Sequence, residues 1–224
     1  KDIMHQSQWQ DADAMVLDAG VSSPQFDQAE RGFSFHQDGP LDMRMDPSQS
    51  LKASDILNEW SEEAIADVFK QYGQERHYKR LTRAIVHDRT EKPFESTLQL
   101  EGLIFRVIGK YYRNQKIHPA TRAFQALRIC VNDELASLGE FLEDAVQCLK
   151  QGGRIAVISF HSLEDRLVKH TFKKYAMHAQ QSFGGRGAPC LKILTKKPVS
   201  PSLKEIGENP RSRSGKLRAV ERIL

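Results

Sequence analysis

With 224 residues, 39% of them apolar and 28% charged, the chain is long enough for one folded domain, or for one domain that carries an insertion. It has no apolar run of the roughly 20 residues that a membrane span needs, and its first ten residues do not resemble a signal peptide. Three widely spaced cysteines, Cys130, Cys148 and Cys190, fit neither a disulfide framework nor a zinc site, and they favour a reducing compartment, the cytoplasm.

Charge is distributed unevenly along the chain. Residues 1–150 hold 18 Lys and Arg against 24 Asp and Glu, whereas residues 151–224 hold 15 against 5. A basic third beside a mildly acidic body indicates a polyanion as partner, most often RNA or DNA. On charge alone the alternative stays open, which is a solvated basic surface that binds nothing.

Short apolar runs bounded by polar or glycine-containing turns predict buried strands. One such run is Ala14–Leu17, which ends at Asp18, and a second is Arg154–Phe160, which follows two glycines. Two later runs, Leu191–Lys197 and Lys216–Ile223, alternate enough to predict an antiparallel pair.

Apolar residues recur at helical spacing through most of the remaining chain. This spacing predicts a small all-helical insert at 51–116 between the two parts of an α/β domain, 1–50 and 117–224. An apolar stripe from Phe124 to Leu149 predicts further helix, which Gly139 would divide and the Gly152-Gly153 pair would end.

Two shorter segments have distinct patterns. A helix over 163–175 is expected to be capped by the Ser162-x-x-Asp165 pattern. Residues 20–50 form a long, loop-like stretch of the kind that is usually functional.

Five blocks of sequence point to one protein family. They are DAGVSSPQFD at 18–27, AERGFSF at 29–35 with DGPLDMRMD at 38–46, HPATRAFQALR at 118–128, ISFHSLEDR at 158–166, and NPRSRS at 209–214 with Leu217-Arg218. In this order they closely resemble the ribosomal RNA small subunit methyltransferase H family, also called MraW.

The resemblance implies a fold, a cofactor and a substrate. The fold would be the Rossmann-like sheet of a class I methyltransferase with an all-helical insert. The cofactor would be S-adenosyl-L-methionine, contacted by Asp18 and Gln25. The implied reaction is methylation of the exocyclic N4 of a cytidine in small-subunit (16S-type) ribosomal RNA. The expected partner is that RNA or the assembling small subunit, with a homodimer left open.

Chemistry narrows the candidates for catalysis. A cytosine amine is a poor nucleophile because its lone pair is delocalised into the ring, so the enzyme must orient the amine and place it in line with the methyl group. Asp18, Ser22, Ser23 and Asp42 are candidate acceptors for the amine, and so is His161. A structural histidine that orients its loop is the alternative reading of His161, and Asp18 alone would also suit a turn cap.

Several basic residues are candidates to bind RNA phosphates. They are Arg122, Arg166, Lys169, Arg211, Arg213 and Lys216, with Arg128 and Arg218 as further possibilities. Arg122 and Arg128 stand six apart on a helix, so one of them is expected to form a structural ion pair. Phe33 and Phe35 would either stack a flipped base or pack in the core.

The chain also departs from the family pattern. A complete member begins with two more βα units before Asp18, and one of them carries a glycine-rich cofactor loop, whereas 13 residues precede Ala14 here. We therefore expect a sheet that is incomplete in its N-terminal half, with one open strand edge and weak cofactor binding by these residues alone. A competing function is a non-catalytic RNA-binding remnant that lacks the cofactor loop.

Overall fold

The computed structural model describes residue 6, residues 11–178 and residues 191–224, so Cys190 lies outside the described part. The chain divides into two compact units, the first made of residues 1–20 and 135–224 and the second of residues 21–134. In chain order the elements are β1 (Ala12–Asp18), α1 (Ser23–Asp27), α2 (Ala53–Glu59), α3 (Glu62–Gln71), α4 (Tyr78–Asp88), α5 (Thr97–Ile108), α6 (Ala120–Asn132), α7 (Glu134–Gln147), β2 (Leu149–Ser159), α8 (Ser162–His178), β3 (Leu191–Ile193), α9 (Leu203–Glu208) and β4 (Lys216–Arg222). Short 3-10 turns cover Ala29–Arg31, Gly109–Tyr112 and Pro210–Ser214.

The first unit contains a sheet whose described strands have the order β1-β2-β4-β3. β1 and β2 are parallel, with Asp18 opposite Ile158, and β4 is antiparallel to both of its neighbours. The predicted strands are therefore present, and the last two form the predicted antiparallel pair. This mixed α/β arrangement agrees with the Rossmann-like class that the sequence indicates.

Helices cover one face of this sheet. Ile155 and Val157 of β2 pack in one apolar cluster with Leu142 of α7 and Phe172 of α8. Each such side chain stabilises the unit by about 1.5–3 kcal/mol when it is fully buried. The opposite face is more open within the described residues, since Val16 of β1 is 73% exposed. Successive strand residues point to opposite faces, which explains why Val16 is exposed while its neighbours pack.

The second unit has its own helical core. The periodic residues that predict helices at 54–116 are buried, including Ile65 and Phe69 of α3 and Leu100 and Ile104 of α5. The predicted insert, 51–116, lies wholly within this unit, which also contains residues 21–50 and 117–134. The functional domain boundaries stay a prediction.

The long helical stretch after Pro119 divides at Asp133, so the expected division at Gly139 is wrong. Asp133 takes a left-handed backbone conformation with φ of 47° and ends α6. Arg128 and Glu134 form a bidentate ion pair across this break, with N–O distances of 2.7 and 2.9 Å. Gly139 stays inside α7 because a helical glycine costs only about 1 kcal/mol, which the burial of this helix face offsets.

The glycine pair at 152–153 also differs from expectation, because it lies inside β2 and not before it. Ala12 pairs with Leu149 and Ala14 pairs with Arg154, so β2 holds extra residues between these two contacts. Gly152 adopts φ of 79°, a conformation that glycine tolerates, and this permits the irregularity. No helix in the described part of the chain is both long and apolar enough to cross a bilayer.

The exposed face of β1 leads to the first prediction. On this face 73% of Val16 is exposed. Val16→Lys should reduce self-association of the chain, because the substitution replaces apolar surface with a charge. Sedimentation velocity over a concentration series measures this.

Leu203→Lys is the matched control, because Leu203 is an exposed apolar residue on α9. It should leave the association unchanged. An equal effect of the two substitutions, or no association by the unsubstituted chain, would contradict the prediction.

Candidate functional site

The carboxyl edge of the sheet in the first unit brings several predicted residues together. β1 ends at Asp18, and β2 ends beside it at Ser159, followed by His161. β4 begins at the same edge, because Lys216 pairs with Ser159. Ligands of open α/β sheets bind outside the carboxyl ends of the strands. This edge is therefore the candidate site of the first unit.

Asp18 is exposed at the end of β1. Strand pairing continues one residue further, since the N–H of Ala19 donates to the carbonyl of Ile158 at 3.0 Å. No hydrogen bond or ion pair engages the Asp18 carboxylate within the described residues. The carboxylate is thus available to accept hydrogen bonds from the amine or hydroxyl groups of a ligand.

A buried Glu164 organises the turn from β2 into α8. Its carboxylate Oε2 accepts the N–H of Phe160 at 2.8 Å and the N–H of His161 at 3.2 Å. In return, Nδ1 of His161 accepts the N–H of Glu164 at 3.3 Å. This is the reciprocal pattern of a capping box, with histidine in the place of serine or threonine. The expected cap at Ser162 is therefore wrong, because Ser162 is already the first residue of the helix.

The environment of Glu164 keeps its carboxyl group ionised. Burial alone would raise its pKa, but the His161 ring and the two backbone N–H groups outweigh burial, and the net effect lowers the pKa. His161 Nε2 lies 3.2 Å from Oε1 of Glu164, without hydrogen-bond geometry. Since Nδ1 accepts a hydrogen bond, the neutral ring carries its proton on Nε2. The geometry supports the structural reading of His161.

Gly20 brings the end of β1 close to this turn. Its φ of 95° is one that residues with side chains rarely adopt, and a Cβ at this position would lie 3.8 Å from Oε1 of Glu164. Glu164 and Gly20 were not among the residues that the sequence predicted to form the site. The three-residue spacing from His161 to Glu164 was the available signal.

An ion pair joins β4 to α8 near this edge of the sheet. Arg218 of β4 is buried and donates to both oxygens of Asp165, at 2.7 and 3.2 Å. Its hydrogen bond lowers the pKa of Asp165, and Lys216 lies 3.9 Å from the same carboxylate. Arg218 is thus a structural residue of the first unit, while Lys216 remains partly exposed.

The other predicted RNA contacts of this unit are exposed. Arg166 and Lys169 lie on the first turns of α8, and Arg211 and Arg213 lie in the 3-10 turn before β4. Since β4 begins at the carboxyl edge, that turn is also at this edge. These residues are accessible to a phosphate, but no contact in the structure tests that role.

Ser22, Ser23 and Gln25 belong to the second unit, where they form the start of α1. The backbone N–H of Ser22 donates to Oε1 of Gln25 at 2.8 Å, and the Ser22 hydroxyl donates to the same oxygen at 3.1 Å. The two residues form a capping box, in which the Ser22 side chain also faces the backbone N–H of Gln25. Both serines are exposed.

Other candidates in the second unit have structural partners. Arg44 engages both carboxylate oxygens of Asp42 at 2.8 Å, and this hydrogen bonding lowers the pKa of Asp42. Phe33 is only 4% exposed and belongs to the core, and Phe35 stacks on His118 with ring centroids 4.8 Å apart. The geometry favours packing over base stacking for both phenylalanines.

The two helical arginines also have different roles. Arg128 forms the ion pair with Glu134 described above and is largely buried. Arg122 donates to the carbonyl of Gln74 at 3.0 Å and thereby holds a turn of the second unit. Arg128 is therefore the one of the two that forms a structural ion pair, as expected.

Glycines and one asparagine order the loop between α1 and α2. A Cβ on Gly32 would stand 2.1 Å from the Pro40 carbonyl oxygen, so the chain packs there as only glycine permits. Asn132 of α6 donates to the carbonyl of Met43 at 2.7 Å and accepts the N–H of Met45 at 2.6 Å. Met43 is buried at φ of 62°, an uncommon conformation that these contacts hold in place.

Comparisons with known proteins all indicate the same family. A sequence model of the MraW methylase family matches residues 1–223. The chain is 52% identical over 210 residues to a protein of Rippkaea orientalis named ribosomal RNA small subunit methyltransferase H, covering 94% of this chain and 64% of that protein.

Proteins of the same name in two other organisms are similar. The one from Synechococcus elongatus is 53% identical, with 94% of this chain and 66% of that protein covered. The one from Halothermothrix orenii is 48% identical, with 99% and 73% covered. The chain therefore spans slightly less than two thirds of the length of the first two relatives.

The buried carboxylate leads to the second prediction. Glu164→Gln should lower the free energy of unfolding at pH 7 by about 1–3 kcal/mol, the usual cost of weakening hydrogen bonds to a buried charge. Because the folded-state pKa of Glu164 is depressed, its stabilisation is complete above the unfolded value, about 4.3, and is lost as the pH falls through the folded value. Urea unfolding at pH 7 and at about pH 3.5 measures the difference between variant and wild type.

Glu208→Gln, an exposed carboxylate on α9, is the control and should change stability little at either pH. Equal losses for the two variants, or a difference for Glu164→Gln that grows as the pH falls, would contradict the assigned role of Glu164.

Proposed function

Because the chain belongs to the MraW methylase family, we propose that it is an S-adenosylmethionine-dependent methyltransferase that acts in the cytoplasm on small-subunit ribosomal RNA. The acceptor atom in this proposal is the exocyclic N4 of a cytidine in RNA of the 16S type. The observation that carries the proposal is the exposed Asp18 carboxylate at the end of β1, beside the turn held by Glu164.

The residues at this edge fit one part of the proposed cofactor. S-adenosylmethionine, when bound, supplies an electrophilic methyl group on a sulfonium, and it also carries amine and hydroxyl groups. The Asp18 carboxylate can accept hydrogen bonds from such groups. Gly20, with no side chain, keeps the backbone after Asp18 accessible. Gln25 is the second proposed contact, through its amide N–H₂, because its carbonyl oxygen already accepts from Ser22.

Orientation of the cytosine amine is assigned to the loop after β1. The amine needs acceptors that draw its lone pair out of conjugation, and the exposed Ser22 hydroxyl, whose proton is donated to Gln25, can accept from the amine through its oxygen. Ser23, which is also exposed, is the second proposed acceptor. Since the attacking nitrogen loses its proton late, positioning contributes more than a strong base would.

His161 is assigned to positioning and not to proton transfer. Nδ1 accepts the N–H of Glu164, and the ring is largely buried beside that carboxylate. This arrangement holds the carboxyl end of β2 next to Asp18. The proposed phosphate contacts of the first unit are the exposed residues Arg166, Lys169, Arg211 and Arg213 and the partly exposed Lys216.

The third prediction tests the proposed function in cells. The gene is expressed in a bacterium that lacks its own small-subunit methyltransferase H, and the nucleosides of its small-subunit RNA are measured by mass spectrometry. The unsubstituted gene should restore N4-methylcytidine. Asp18→Ala should strongly reduce it, because losing a hydrogen bond to a charged group costs roughly 1.5–3 kcal/mol at the cofactor, which is roughly a 10- to 150-fold loss of affinity.

Asp13→Ala is the matched control, because Asp13 is an exposed carboxylate on the same strand that pairs only loosely with Lys150. It should retain the modification. Restored methylation by Asp18→Ala would remove Asp18 from the site. No methylation by any variant, with RNA binding retained, would support the competing function of a non-catalytic RNA-binding protein.

A further inference from the structure

A stacked pair of aromatic rings lies on the surface of the second unit. The rings of His77 and Tyr111 are 4.0 Å apart between centroids and inclined by only 20°. Tyr111 is 38% exposed, although an aromatic ring in a helical unit usually packs inward. The two residues are far apart in sequence, so the fold creates this surface.

Basic residues surround the stacked rings. The guanidinium of Arg80 lies 5.6 Å from the centre of the Tyr111 ring, and the ammonium of Lys110 lies 5.1 Å from it. Arg76 and Arg113 flank the same two segments and are exposed. We define the aromatic–basic platform as Arg76, His77, Arg80, Lys110, Tyr111 and Arg113.

The cations of the platform are not neutralised. Salt bridges elsewhere in this unit use other basic residues, such as Arg83 with Glu62 and Arg106 with Asp88. Within the described part of the chain, no Asp or Glu forms a salt bridge with a cation of the platform. Residues 106–116 contain four Lys and Arg and no acidic residue.

A buried hydrogen bond joins the two segments of the platform. Glu75 is 2% exposed, and its carboxylate accepts the hydroxyl proton of Tyr112. The same carboxylate accepts the backbone N–H of His77 at 2.7 Å. Burial, together with the hydrogen bond to Glu75, raises the pKa of Tyr112, so this hydroxyl stays protonated and donates. The acid of this segment therefore points inward, while the neighbouring cations point outward.

The turn before the platform is also fixed to α6. Arg122 donates to the carbonyl of Gln74, which has φ of 49°, and Gln125 donates to the carbonyl of Tyr72 at 3.1 Å. A Cβ on Gly73 would stand 2.7 Å from the Arg122 carbonyl oxygen, so the turn packs closely there. The aromatic pair is thus held on a rigid support.

We propose that the aromatic–basic platform binds single-stranded RNA. Aromatic rings offer a stacking surface to any base, and unpaired Arg and Lys side chains contact the phosphates between stacked bases. The choice of RNA over DNA rests on the proposed function. An acidic peptide would also be attracted to the cations, but it carries no bases to stack on the aromatic rings.

The experiment measures binding of a fluorescein-labelled, mixed-sequence RNA 12-mer by anisotropy, without cofactor, over a series of salt concentrations. Tyr111→Ala should weaken single-strand binding about tenfold and leave the salt slope unchanged, because it removes stacking and no charge. The pair Arg80→Ala and Lys110→Ala should reduce the salt slope by about 1.4, the value for two phosphate contacts.

Three controls separate the proposal from its alternatives. Tyr111→Phe keeps the ring and should retain affinity, and Phe141→Ala removes an exposed ring from α7 and should have no effect. The pair Arg211→Ala and Arg213→Ala tests the basic turn of the first unit. Thermal melts confirm that each variant is folded.

The outcomes are distinct. Unchanged binding by a folded Tyr111→Ala, loss only with the Arg211 and Arg213 substitutions, or stronger binding of a poly-glutamate peptide than of RNA would overturn the proposal. The assay contains no cofactor, so its result does not depend on methyl transfer. Failure of methyl transfer and failure of the platform are therefore distinguishable.

Discussion

A buried carboxylate holds the turn on which the candidate site depends. The Glu164 carboxylate accepts hydrogen bonds from two backbone N–H groups where the chain passes from β2 into α8. In turn, Nδ1 of the His161 ring accepts the backbone N–H of Glu164. The two N–H groups bound by the carboxylate have no partners in strand or helix within the described residues, so without Glu164 they would lose their hydrogen-bond acceptor in the protein. Strand pairing with Ile158 places Asp18 beside β2, and the turn lies next to it, so Glu164 orders the surroundings of Asp18.

A common pattern explains how a chain of modest net charge acquires basic surfaces. Several acids act internally: Glu164 caps a helix, and Glu75 joins two segments of the second unit. Each of these carboxylates is removed from the surface, while lysines and arginines nearby in sequence remain exposed. The external charge of each unit is therefore more positive than its composition indicates, which favours a polyanion as partner.

The sequence predicted the strands, the helices of the second unit and the family, because these depend on apolar periodicity and on contiguous motifs. It did not predict features that depend on residues brought together only by the fold. The end of α6 at Asp133 is set by a backbone conformation and an ion pair, and composition favoured Gly139 instead. The aromatic–basic platform could not be predicted from the charge distribution, because a count over residues 1–150 combines its cations with distant acidic residues. Its two rings lie 34 positions apart, and no local pattern joins them.

Hydrogen–deuterium exchange with and without millimolar S-adenosylhomocysteine tests most directly whether the edge organised by Glu164 is the cofactor site. We predict slower exchange of the backbone amides at 18–20 and 160–164 when the ligand is added. Asp18→Ala should remove this protection while the exchange of the sheet core is unchanged. Ligand-dependent protection confined to other segments, or the same protection in Asp18→Ala, would contradict the assignment of this edge as the cofactor site.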